Sequence, residues 1–323
     1  MRTLLCPILL ALGIAAAGPA LAQNSYPSKP VRIIVGAAPG GPTDLVARLL
    51  GEKLSQSTGV PFIVENRGGG GGVIASETVA RAEPDGYTIL MGSVSTHGIN
   101  PALYRKLNYD ALADFEPITQ VVSYPLVLIV NPATVPATNM AEFLSYVRKH
   151  PGKVNRGSAG NGTSMHIAGE LFNSLAGTRM THVPYRGSAP AVAALLAGQI
   201  DVDFESIPVA MPHVESGKLR ALAVTSAKRF ESMPDIPTVA ETLPGYAFTG
   251  WLGLLAPAGT PKAVIEILHR KTAAALQDKD VKEKLLAQVM QPVGDTPESF
   301  GRFIRSEIDK LGAVVRESGA TVD

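Results

Sequence analysis

The chain has 323 residues, 46% of them hydrophobic, with 29 basic and 28 acidic side chains and a single cysteine, Cys6. So even a charge balance, without a long basic run, gives no electrostatic reason to expect nucleic acid or an acidic membrane surface as a partner. One cysteine excludes a disulfide framework and a thiolate metal site, and the length exceeds what one core usually holds, so two domains are expected.

Residues 1–22 read as a secretory signal peptide: Arg2, an apolar stretch from Leu4 to Ala17, then the small-x-small cleavage pattern Ala20-Leu21-Ala22. The stretch is shorter than the ~20 apolar residues of a membrane span. Cleavage would remove Cys6 and Arg2, leaving 28 basic against 28 acidic residues and no cysteine. Export without disulfides fits a bacterial periplasm.

In chain order, Val31–Val35 predicts a strand, followed by the glycine loop from Gly36 and a helix carrying Leu45, Val46, Leu49, Leu50 and Leu54. Phe62–Glu65 predicts a strand, Val73–Ala82 a helix stopped by Pro84-Asp85-Gly86, and Tyr87–Met91 another strand. This alternation indicates an α/β fold with parallel strands and helical crossovers. Tyr124–Val130 follows as a strand and Met140–Lys149 as a helix; then a second glycine loop, from Asn155, runs into a helix over Ser164–Ala176. Ser188-Ala189-Pro190 predicts a helix start with serine as cap. Strands are expected at Ile200–Phe204, Leu219–Thr225 and Phe248–Ala256, and three tail helices at Ala263–Leu276, Asp280–Gln288 and Pro297–Glu317 are expected on the first lobe.

The two glycine loops, each leading into a helix, are the functional signal. A helix N-terminus exposes unpaired N–H groups and the positive end of the helix dipole, which suits an anion. Gly40, Gly41, Gly160 and Gly162 let the backbone approach a ligand, and Thr43, Thr163 and Ser164 can cap their helices and still offer a hydroxyl. Two such ends suggest two lobes closing on a small carboxylate. Other chemistries are poorly served. Gly70-x-Gly72-x-x-Ala75 matches the dinucleotide fingerprint loosely, but the next strand ends Met91-Gly92-Ser93 without the acidic residue that holds a ribose. The six histidines, His97, His150, His166, His182, His213 and His269, show no metal-ligand spacing, and no serine stands in a Gly-x-Ser-x-Gly elbow. No cofactor and no metal are expected.

Several runs together resemble the Bug family of periplasmic solute receptors, the TctC-like substrate-binding proteins of tripartite tricarboxylate transporters. They are Tyr26–Val35, Pro39-Gly40-Gly41-Pro42-Thr43-Asp44, Val64-Glu65-Asn66-Arg67, Ala82–Thr88, Gly157–His166, His182–Gly187, Arg220–Thr225 and Trp251–Pro261. The resemblance covers essentially the whole chain after residue 22. It implies a type II periplasmic-binding-protein fold, with two α/β lobes, a hinge, and a small carboxylic acid held in the cleft by N–H groups, hydroxyls and waters. The expected lobes are 23–124 plus 249–323, and 125–248.

The expected ligand-binding residues are Ala38, Pro39, Gly40, Gly41, Thr43, Ser93, Ser95, Thr96, Ser158, Gly160, Asn161, Gly162, Thr163, Ser164, Tyr185 and Glu205. Asp44 is expected to be a helix N-terminal charge, and Arg186 either a ligand cation or a surface group. Two positions depart from the family pattern. Gly36-Ala37 replaces the common Pro-Phe, which suggests a roomier pocket, and Glu205 replaces a common aspartate and either reaches the cleft or lies on the surface. The expected protein is a monomeric, non-enzymatic periplasmic receptor that hands a carboxylate, or an acidic amino acid or its amide, to membrane transporter subunits. The rival readings are a sensor for a signalling system, and a serine esterase or amidase acting through Ser164.

Overall fold

The computed structural model describes residues 26–230 and 233–322; the expected signal peptide, residues 1–22, lies outside them. Ten strands form one curled mixed sheet in the order β2-β1-β3-β9-β4-β7-β5-β6, with β8 and β10 also paired to β4. The strands are β1 Val31–Val35, β2 Phe62–Asn66, β3 Thr88–Ser93, β4 Phe115–Val130, β5 Asn155–Ser158, β6 Thr181–Pro184, β7 Val202–Ser206, β8 Arg220–Val224, β9 Thr249–Pro257 and β10 Gln291–Pro292.

β1 is apolar on both faces because helices cover both sides of its parallel neighbours, β2 and β3. The helices are α1 Pro42–Thr58, α2 Val73–Ala80, α3 Asn100–Leu103, α4 Met140–Lys149, α5 Ser164–Ala176, α6 Ser188–Leu196, α7 Ile207–Glu215, α8 Lys262–Gln277, α9 Lys279–Ala287 and α10 Pro297–Ser318. α1 opens on Pro42 and ends at Gly59 in the left-handed region, the usual pairing of proline start with glycine stop.

The 16-residue β4 organises the molecule. From Phe115 to Pro125 it runs antiparallel to β9, and from Leu126 to Val130 it lies between β7 and β8. The pairing changes partners at Pro125, whose missing N–H cannot continue a ladder. β9 returns the chain to β3, so the backbone crosses twice between the β1-β2-β3 region and the β5-β6-β7 region. The arrangement is a two-lobed α/β fold of the type II periplasmic-binding-protein kind.

The structure amends the expected elements in places. β4 begins at Phe115 rather than Tyr124; its first half carries Pro117 and two register shifts, which hide a strand pattern. The strand expected at Ile200–Phe204 lies at Val202–Ser206 and buries Asp203 and Glu205, two residue types that argue against a strand interior. α7 contains Pro208 and Pro212 and so reads as a loop in the sequence. Of the tail helices, α8 packs on β4 and α1, whereas α10 also reaches α5, where Ser174 Oγ donates to Glu317 Oε2 at 2.7 Å.

Candidate functional site

At the end of β1, Gly36 lies against the backbone of Gly72: a Cβ at position 36 would stand 2.8 Å from Gly72 Cα. Glycine at position 36 thus permits this close backbone approach. Beyond it, Gly40 takes φ +80 and its N–H donates to Asp44 Oδ2 at 2.8 Å. Arg48 Nε donates to the same oxygen at 2.9 Å, and Asn66 Nδ2 donates to Asp44 Oδ1 at 2.9 Å and to Ala37 O at 3.1 Å. Burial alone would raise the Asp44 carboxyl; the bonds from Arg48, Gly40 and Asn66 outweigh it and hold the group below the usual carboxylate range. Asp44 thus fixes the shape of the 37–41 loop from inside. Gly41, not Thr43, is the N-cap of α1, which leaves the Thr43 hydroxyl free of a capping role.

The second loop is built differently. Ser158 Oγ lies 2.6 Å from His182 Nε2 and accepts the Gly160 N–H at 3.1 Å. Gly160 and Gly162 take φ +129 and +74, and a Cβ on Gly162 would collide with Leu103 of α3. Thr163 caps α5 by accepting the His166 N–H at 3.4 Å, so Ser164 is the first helical residue. Asn161 and Arg186 are exposed and Tyr185 half-buried; the Tyr185 N–H donates to Ser158 O at 3.0 Å, tying β6 to this loop.

Two further helices begin nearby. α6 starts at Gly187 as N-cap, with Ser188 inside the first turn rather than capping. α7 starts at Ser206. Glu205 is neither a cleft-wall nor a surface group: it is wholly buried, and its Oε1 accepts from Ser188 Oγ at 2.9 Å, Ser206 Oγ at 2.8 Å and Ser206 N at 2.5 Å.

The first turns of α1, α5, α6 and α7 converge on a cavity of about 310 Å³. Its floor is Tyr124-Pro125, where β4 changes partners, and its far wall is the Gln288–Met290 turn between α9 and β10. Among the described residues, no Lys, Arg, Asp, Glu or His side chain lines it. Burial pushes the Tyr124 hydroxyl up to about 12, so it is neutral at ordinary pH. Four helix N-termini thus surround a neutral, partly apolar cavity, with unpaired first-turn N–H groups and hydroxyls near it.

Of the expected residues, Thr43 and Ser164 line this cavity. Ala38 to Gly41 form the loop before α1, while Ser158, Gly160 to Thr163 and Tyr185 shape the loop before α5. Ser93, Ser95 and Thr96 stand apart from the cavity lining; Thr96 is buried and its Oγ1 accepts the Ser93 N–H at 2.9 Å and meets His97 Nδ1 at 2.8 Å. Sequence reasoning missed Ser206, Pro208, Gln288 and Val289. The signal for Ser206 was Ser-Ile-Pro, a cap residue with proline at the second helical position; nothing local marks the Gln288–Met290 turn.

A model of the tripartite tricarboxylate transporter family receptor, TctC, matches residues 46–320. The chain belongs to this family. It is 37% identical to the protein BugT of Bordetella pertussis over 322 residues, covering 99% of this chain and 98% of the relative. Among solved TctC-like structures, the periplasmic binding protein BugD superposes with a TM-score of 0.79 at 34% identity, over 92% of this chain and 99% of its own. An R. palustris protein solved with adipate gives 0.82 at 34% identity, over 92% and 100% of the two chains. MatC from Rhodopseudomonas palustris, solved with malate, gives 0.78 at 35% identity, over 90% and 100%. As a member of the TctC family the chain is a solute-binding receptor and not an enzyme, so Ser158 and His182, although 2.6 Å apart, form a structural hydrogen bond.

Proposed function

We propose that this receptor captures a small carboxylate in the periplasm and hands it to the membrane subunits of a tripartite tricarboxylate-type transporter. The observation that carries the reading is the convergence of helix N-termini, those of α1 and α5 with free first-turn N–H groups among them, on one cavity with no charged side chain among the described residues of its lining. Its volume of about 310 Å³ lies at the small end of ligand pockets, as a small organic acid requires. The adipate and malate found in TctC-like relatives are acids of this size class.

The proposed lobes are 23–124 plus 249–323, and 125–248, with the hinge at the two crossings where β4 leaves β9 and the chain re-enters β9. The partner change at Pro125 supports that division. The proposed contacts are the Ala38–Gly41 loop with Thr43 on one side, and the 158–164 loop with Tyr185 on the other, supplying N–H groups and hydroxyls directly or through water. Export rests on the signal-peptide pattern in residues 1–22.

A thermal-shift screen of the chain without residues 1–22, against mono-, di- and tricarboxylates, amino acids and amides, tests the reading. Binding to the folded state alone adds ~2.7 kcal/mol at a hundredfold excess over Kd. A family of carboxylates shifting the transition is the expected result, and flat curves from ligand-free protein refute it. Capture of the membrane subunits by the loaded receptor tests the transport partner, and capture of a sensor kinase instead refutes it.

A further inference from the structure

Ser188 and Ser206 both line the cavity, and both have already committed their hydroxyl protons to Glu205 Oε1, at 2.9 and 2.8 Å. A serine hydroxyl has one proton and two lone pairs, so toward the cavity these two present acceptors only. The Ser206 N–H is also spent on Glu205, and Pro190 and Pro208, in the first turns of α6 and α7, have no N–H, so the donors left at these two helix ends are the N–H groups of Ser188, Ala189, Ile207 and Val209. Behind the serines Glu205 is fully buried, and its second oxygen, Oε2, has no hydrogen-bond partner. The α1 and α5 side of the cavity has no acid behind it that takes up its hydroxyls. There the N–H groups of Thr43, Asp44, Ser164 and Met165 occupy first-turn positions that a helix leaves without an internal acceptor.

Building on the carboxylate-receptor reading, we propose that the ligand is two-ended. Its carboxylate lies against α1 and α5, and a hydrogen-bond donor (a primary amide, an ammonium or a hydroxyl) lies against Ser188 and Ser206, with Glu205 determining that choice. A second carboxylate at the serine end would meet two hydroxyl lone pairs, with no cation among the described residues of the lining to offset them. A donor completes both serines.

A second buried acid lies beside Glu205. Asp203 lies on the same face of β7, two residues away, and neither of its oxygens has a well-formed hydrogen bond. Burial, then the charge of Glu205, push Asp203 up to about 8, against the pull of Arg156. Burial raises Glu205 as well, against the bonds from Ser206 and Ser188, so the two acids titrate as a pair.

Titration calorimetry with isosteric pairs tests the proposal: succinate against succinamate, adipate against its monoamide, and terephthalate against 4-carbamoylbenzoate. Any acid that shifts the thermal transition in the broader screen is added with its own monoamide. The monoamide should bind at least about tenfold tighter than its diacid. Glu205→Gln can turn an NH₂ toward the serines and free their protons, and it should bring each pair to within about twofold or reverse it. Ser188→Ala and Ser206→Ala keep the falsifying comparison available should Glu205→Gln not fold, and each should weaken the monoamide and narrow its preference over the diacid. Diacids that bind as tightly as, or tighter than, their monoamides overturn the inference and leave the receptor reading standing. A silent screen across all carboxylates overturns the receptor reading and this inference with it.

Discussion

His166 and His182 stack face to face, with ring centroids 3.9 Å apart and planes within 10°, although one opens α5 and the other lies in β6. His182 Nε2 meets Ser158 Oγ at 2.6 Å, and His166 Nδ1 accepts the Gly162 N–H at 3.2 Å. The stack therefore ties both ends of the 158–164 loop to each other. Burial first, then the charges of His166 and Arg156, push His182 down to about 3, against an opposite pull from Glu170.

A depressed imidazole makes stability depend on pH in a defined sense. The unfolded chain takes up the proton near 6.5 and the folded chain only near 3, so this contribution is complete above pH 6.5 and is lost as pH falls toward 3. His97, fully buried and also pushed to about 3 by burial, adds a second contribution of the same sign. Melting followed from pH 7 to pH 4 should show a steep acid decline, and His182→Gln should flatten it by about 1 kcal/mol, a figure kept small because the ring is partly solvated. An unchanged slope in that variant would remove His182 from the account.

Arg156 illustrates a different balance. It is wholly buried, its Nη2 is ion-paired to Glu170 and its Nη1 donates to His166 O at 3.1 Å. It reaches them by passing over Gly169, where a Cβ would collide with the Arg156 Cδ, Nε and Cζ atoms. Glu170→Gln leaves the guanidinium buried and uncompensated and should cost about 3 kcal/mol in chemical denaturation. Gly169→Ala should cost on the order of 2 kcal/mol or more, because the Arg156 guanidinium is held over the glycine by Glu170 and His166 O. A loss under ~0.5 kcal/mol in either variant would show that Arg156 has another route.

Much of this was legible in the sequence because the information was local. The α5 helix from Ser164 to Ala176 and the α4 helix from Met140 to Lys149 occupy the expected residues, since capping residues and apolar spacing both lie within the segment. β4 was half-hidden: its Phe115–Ser123 stretch is a strand because β9, more than a hundred residues away, pairs with it. The site followed the same division. Glycine loops before α1 and α5 announce themselves, whereas the burial of Glu205 beneath Ser188 and Ser206 depends on three segments meeting. The Gln288–Met290 wall is supplied by the far end of the chain, and no short-range pattern predicts it.

Asp44 gives a test of how the first loop is held. It takes the Gly40 N–H, Arg48 and Asn66, and so keeps the 37–41 loop in the one conformation that aims the α1 N-terminus at the cavity. Asp44→Ala should lower affinity for the carboxylate identified in the screen by at least about tenfold, through loop disorder. It should cost only ~1–2 kcal/mol of stability, as for the loss of a helix-end carboxylate and its bonds. Asp44→Asn, which keeps an acceptor for Gly40, should recover part of the affinity. Calorimetry on both variants checks this, and an Asp44→Ala protein that binds like the parent would place the loop's organisation elsewhere.

Val289 holds the least comfortable backbone of the cavity. Its φ of +54 puts a β-branched residue in the left-handed region, at a cost of roughly 1–3 kcal/mol. It sits in the turn after α9, yet its side chain packs on the apolar cluster of Val127, Val192 and Ile207 across the cavity. That contact spans the two proposed lobes, so opening a cleft between them would break it. Val289→Gly relieves the backbone and deletes the contact; the two effects should leave stability within about 1 kcal/mol of the parent. Ligand release should nevertheless quicken several-fold, because the closed state loses its apolar bridge. Denaturation together with stopped-flow dissociation separates the two effects. A variant that releases ligand at the parent's rate would mean that Val289 shapes the turn and takes no part in closure.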